Sequence, residues 1–216
     1  LEAARSQTAE LRRRTGPSVE IGLDAHAQQL EPWRALALAD ALAEFNLLFI
    51  EEPLRMENRS AMADLRRQYP VPLATGECLY TKFEFDELIR LQAADIIQPD
   101  VAICGGFTEM RKIATNAEAH DISVAPHNPS GPLATVVDAH FAAATSNFLI
   151  LEIRPHSGEE LAMVPGSLAP DDGFLPLPEG PGWGVDLDFD VIAGHPYESG
   201  WWRSDVAYPD GSIAYI

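Results

Sequence analysis

The chain is poor in cysteine: Cys78 and Cys104 are the only two in 216 residues. They supply no disulfide framework and no zinc or redox spacing, so both read as small buried residues in a protein of a reducing, cytoplasmic compartment. Positive charge is scarce as well, 15 Lys and Arg against 33 Asp and Glu, for a formal net charge of −18. That balance excludes a nucleic-acid backbone or an anionic membrane surface as partner. No apolar run approaches the ~20 residues of a membrane span, and no signal-peptide pattern opens the sequence. A glycine-rich phosphate turn is also missing, since Gly105-Gly106 is a bare pair.

What is present describes one soluble domain or a large piece of one: 46% hydrophobic and 22% charged residues, enough to bury a core without staples. Composition shifts near Pro155. Residues 151–216 hold 12 of the acidic residues, 8 of the 17 prolines and 9 of the 15 glycines, with only Arg154 and Arg203 as basic residues. The expectation is a regular domain over residues 1–154 and loops with short strands over 155–216.

In the regular part, short apolar runs at 19–23, 47–50, 71–74, 96–97, 122–125 and 148–151 alternate with helical-length amphipathic stretches. Those stretches cover 32–44, 59–69, 82–91, 107–119 and 132–145. Asn58 is placed to cap the second, and Thr81-Lys82-Phe83-Glu84 reads as a capping box for the third. Alternating strand and helix implies a parallel sheet with right-handed crossovers.

A polar residue stands at or just past the end of each predicted strand: Asp24, Glu51, Glu77, Asp100, His127 and Glu152, 23 to 27 residues apart. One βα unit per step, without a sheet-order switch, favours an α/β fold of the (β/α)8 TIM-barrel type over a doubly wound sheet. Six units are visible. The sequence also starts inside an apparent helix, Leu1-Glu2-Ala3-Ala4, so the first two barrel units are expected to be missing. In a barrel, Asp24, Glu51 and Glu77 would converge at one mouth and repel one another unless protonated or bridged by a hard cation such as Mg²⁺. The plainer alternative is that each acid caps the helix after its strand.

The motifs Gly22-Leu23-Asp24-Ala25-His26, Phe49-Ile50-Glu51-Glu52-Pro53, Ala74-Thr75-Gly76-Glu77, Gln98-Pro99-Asp100 and Ala125-Pro126-His127 occur in the order and spacing of the enolase superfamily. They most resemble its mandelate racemase subgroup and, within it, the acid-sugar dehydratases of the D-galactonate dehydratase kind. The resemblance runs from about Val19 to Glu152, and residues 180–188 also look familial.

It implies one Mg²⁺ held by Asp24, Glu51 and Glu77, with Glu52 behind them or purely structural. It further implies a catalytic pair of His127, as base, and Asp100. His26 would be the acid that protonates a departing 3-hydroxyl, and Glu152 a residue that hydrogen-bonds the substrate. Glu152 could instead pair with Arg154 on the same strand face. The muconate-lactonising branch, with a lysine on the strand after the third ligand, is disfavoured because 95–100 contains none.

The implied activity is dehydration of a small acid sugar to a 2-keto-3-deoxy acid, by a cytoplasmic homo-oligomer. Racemisation or epimerisation of a 2-hydroxy acid on the same scaffold is the alternative; a non-catalytic sugar-acid-binding protein is a third reading. The family's N-terminal capping domain is not in this sequence. The segment 155–216 is expected to pack on barrel and cap, with Trp201-Trp202 facing a domain or subunit outside the chain.

Overall fold

A computed structural model describes residues 1–28 and 31–197; Trp201 and Trp202 lie outside them. After α1 (Glu2–Thr15), five strands alternate with helices: β1 (Gly22–Asp24), α2 (Pro32–Leu42), β2 (Phe49–Glu51), α3 (Arg59–Arg66), β3 (Leu73–Thr75), α4 (Thr81–Arg90), β4 (Ile96–Ile97), α5 (Phe107–Glu118), β5 (Ser123–Val124) and α6 (Pro132–Ala143). Two short helices follow, α7 (Gly158–Met163) and α8 (Phe189–Ala193). The strands form one parallel sheet in sequence order, so the strand ends line up along one rim. No helix among the described residues is long and apolar enough to cross a membrane.

Register carries the acids to that rim. Gly22 pairs with Phe49, Leu23 with Ile50 and Asp24 with Glu51, while Glu51 pairs with Ala74. Successive strand residues face opposite sides. Leu73, Ile97 and Val124 pack with α3–α6 residues such as Met62, Phe85, Leu88 and Ile113. On the other face Ala74, Ile96 and Ala125 meet around Phe49. Small residues there leave room for one large ring, and Gly22 completes the fit: a Cβ on it would stand 2.8 Å from the Phe49 ring.

Local chemistry sets the helix starts. Pro32 and Pro132 open α2 and α6, where a missing N–H costs nothing. Asn58 caps α3 by accepting from the Ala61 N–H at 3.0 Å. The expected capping box at Thr81 is not formed. Tyr80 is the cap residue, its N–H donates to Glu84 at 2.6 Å, and Thr81 opens α4 in the left-handed region at φ 55°. The motif lies one residue out of phase, so only its carboxylate half closes.

The sixth apolar run is not a full strand. Val124 donates to the Asn147 carbonyl, Leu149 to Val124 and Glu152 to Pro126, yet the ladder reduces to one isolated bridge, Val124 with Phe148. Leu149 and Ile150 are exposed, and an edge segment with neighbours on one side only is weakly held flat. Beyond it, Leu168, Leu175 and Val185 pack on Val136 and Ala139 of α6. The Trp183 ring meets Phe107 edge-on at 5.2 Å.

Phe85 is fully buried between β3 and the helical layer. Phe85→Ala is expected to lower unfolding free energy by about 3–5 kcal/mol, read from the urea midpoint of the complete protein at unchanged m-value.

Candidate active site

The alternative that the strand-end acids are helix caps fails: α2 follows Glu31, α3 is capped by Asn58 and α4 follows Tyr80. The acids face one another instead. Glu51 hydrogen-bonds Glu77, and burial first, then the charges of Asp24 and Glu77, push its carboxyl up to about 8, against a hydrogen bond from Gln98. Asp24 and Glu51 line one cleft of about 280 Å³ with Phe49, Gln98, Pro126 and Glu152.

Glu52 is a structural clamp. Its buried carboxyl accepts from the Thr75 hydroxyl at 2.7 Å and the Gly76 N–H at 3.0 Å, and burial lifts it to about 7. It thereby holds the turn that presents Glu77. That turn needs glycine, because Gly76 has φ 132° and a Cβ there would meet Phe85 at 3.0 Å and the Gln98 nitrogen at 3.1 Å.

Asp24 differs from the other two acids. Its Oδ1 accepts from the His26 N–H at 2.6 Å and its Oδ2 lies 3.0 Å from His26 Nδ1. His26 does not continue strand β1. The strand stops at Asp24, and His26 and Ala27 turn through φ 49° and 52°. The imidazole reaches Asp24 by that turn, and both groups stay about half exposed. Among the described residues, no three His, Cys, Asp or Glu side chains converge closely enough to hold a metal as they stand. The donor chemistry nonetheless suits a hard divalent cation, since Glu51 keeps its proton only because neighbouring anions and burial disfavour its charge.

Asp100 and His127 are brought together as expected. Buried Asp100 accepts from the Ala102 N–H at 2.7 Å through Oδ1 and from His127 Nδ1 at 2.9 Å through Oδ2. The other ring nitrogen, Nε2, lies 3.7 Å from a Glu77 oxygen. Burial works to lower the His127 pKa, but the Asp100 hydrogen bond and the charges of Glu77, Glu152 and Asp100 outweigh it, and the net shift is upward.

Glu152 accepts from the Asn128 N–H at 2.9 Å. It does not pair with Arg154, which binds the Pro129 carbonyl at 2.6 Å and the Glu160 carboxylate. Cys104 is buried as expected but Cys78 is exposed, because it follows Glu77 out of the turn. His140 reaches the Trp183 carbonyl at 3.1 Å, a packing role. Sequence reasoning passed over Gln98 as a site residue. Its signal was parity: two residues before Asp100, it shares the inward face.

A family model described as "Enolase C-terminal domain-like" matches residues 1–191. D-galactonate dehydratases of Ralstonia nicotianae and Pectobacterium atrosepticum are 36% and 34% identical over 99% of this chain. The chain spans 58% of the length of each. An enolase from Agrobacterium radiobacter, provisionally named a galactarate dehydratase and solved with sodium and L-malate, superposes at TM-score 0.91. It is 42% identical, over 100% of this chain and 58% of that one. The chain belongs to the enolase C-terminal domain-like family, and its five strands are part of that family's barrel.

Replacing Asp100 by Asn is expected to lower the His127 pKa, followed by the imidazole NMR shifts in chelator. The wild-type advantage in stability should be complete below the unfolded-state value of about 6.5 and vanish as pH rises through the higher folded-state value. An unchanged pKa would show that Asp100 does not act on this ring.

Proposed function

We propose that the complete protein is a Mg²⁺-dependent sugar-acid dehydratase whose base is His127. The observation that carries this reading is the 2.9 Å contact between Asp100 and His127 Nδ1, with Nε2 turned to the acidic rim at Glu77. Asp100 accepts the Nδ1 proton, which leaves Nε2 as the basic nitrogen. The upward-shifted imidazole is a stronger base for a weakly acidic C–H, provided it is neutral at working pH.

Asp24, Glu51 and Glu77 are the residues that would hold the ion. When bound, a divalent cation supplies positive charge beside the substrate carboxylate, where negative charge grows as the α-proton leaves. His127 Nε2 takes the proton from C2, a C2–C3 double bond forms, and the C3–O bond breaks. His26, fixed through Nδ1 by Asp24, gives a proton to the departing hydroxyl, which leaves as water. The enol then tautomerises to a 2-keto-3-deoxy acid. A racemase has no leaving group to protonate, so His26 as a leaving-group acid supports elimination over epimerisation. Glu152, on the cleft wall, is placed to meet a substrate hydroxyl.

The names of the D-galactonate dehydratase relatives support an aldonate as substrate, and L-malate in the Agrobacterium structure supports a small acid ligand. The segment 155–216 and a homo-oligomeric cytoplasmic assembly remain part of this proposal.

The test is a panel of acid sugars with full-length protein and Mg²⁺, scored by semicarbazide for 2-keto acids. His127→Asn should cut kcat by about 10²–10⁴-fold with an unchanged circular dichroism spectrum, and chelation should abolish turnover. α-Proton exchange in D₂O without any keto acid would favour the racemase. Retained activity in the His127 variant would overturn the assignment of the base.

A further inference from the structure

Helix α6 carries an acid that the reaction above leaves unused. Asp138 is wholly buried, and neither of its carboxyl oxygens has a hydrogen-bond partner among the described residues. Thr135, one turn earlier on the same helix face, is already committed. Its hydroxyl accepts from the Asn128 amide at 2.9 Å and lies 3.2 Å from His156 Nε2.

The titratable groups facing Asp138 come from three elements: Asp100 after β4, Cys104 before α5 and His127 after β5. Lysine and arginine are absent from that set. A carboxylate in such a place would lack solvent, donor and cation together. Burial, then the charge of Asp100, push the Asp138 carboxyl up to about 8, with His127 pulling the other way.

We propose that Asp138 is an uncharged positioning acid at the back of the Asp100–His127 pair, keeping Asp100 a lone carboxylate on that side of the imidazole. While Asp138 holds its proton, Asp100 sits undisturbed between the Ala102 N–H and His127. Once ionised, Asp138 adds a second anion in dry surroundings, repels Asp100 and strengthens the hold of the ring on its proton. At a given pH more of the ring is then protonated, so the charge state of Asp138 sets how much neutral base is present. The catalytic consequence rests on the dehydratase reading; the charge state of Asp138 does not.

The experiment compares the complete wild-type protein with Asp138→Asn, which keeps the shape and removes the ionisation. With ¹³C-carboxyl aspartate, the resonance missing from the variant should be that of a protonated acid at neutral pH, moving to the carboxylate position only in mildly alkaline solution. Asp138→Ser supplies the same assignment should the amide fail to fold.

Because the folded-state pKa is raised, the wild type loses stability as pH climbs from the unfolded-state value to the folded one. The Tm of the Asn variant should therefore match wild type near pH 4 and exceed it at pH 8. A carboxylate signal at neutral pH or a Tm difference independent of pH would each overturn the proposal. Neither readout needs turnover. A protein that dehydrates nothing would therefore sink the dehydratase reading and leave Asp138 to be judged by its own resonance.

Discussion

Carboxylates crowded at the ends of parallel strands are the constraint around which this molecule is arranged. Parallel pairing sets Asp24 beside Glu51 and Glu51 beside β3, so the charges cannot spread apart without breaking the ladder. Glu51 answers by keeping a proton and sharing a hydrogen bond with Glu77. Glu52 answers by turning away and satisfying itself on Thr75 and Gly76. A rim of this kind is poorly suited to be mere scaffold, because each ionisation opposes the next.

The imidazoles sit at opposite ends of that rim and are held in different ways. His127 is largely buried and fixed by an acid that is itself fixed by a backbone N–H. His26 is half exposed, on a left-handed turn, and tied to an acid two residues earlier. The first arrangement is rigid and screened from water, which favours a tuned base. The second is local and open, which favours a group that meets whatever enters the cleft. On the proposed reading, the site contains two proton carriers whose surroundings separate their tasks.

The outer layer bears on the chemistry too. Phe85 packs against the backbone that presents Glu77, and α6 brings Asp138 within electrostatic reach of Asp100. Residues 155–197 are anchored to α5 and α6 through Trp183, Leu168 and Val185. Packing in these layers therefore fixes side chains that stand well away from the cleft.

Much of this was readable from spacing. Apolar runs at one βα period gave the strands, and the polar residue ending each run gave Asp24, Glu51, Glu77, Asp100, His127 and Glu152. Backbone geometry repeats, so a regular pattern in sequence maps onto a regular pattern in space. Asn58 was readable for a similar reason, since a cap acts within three residues. Contacts that depend on how a turn closes were beyond reach. The left-handed bend at His26, the one-residue shift at Tyr80 and the partnering of Arg154 with Glu160 rather than Glu152 are all of this kind. The weak sixth strand and the exposure of Cys78 depend on which neighbours are present, and in sequence Asp138 is a single acid among the apolar residues of α6. Its significance comes from groups up to 38 residues away in the chain, and only folding brings those near.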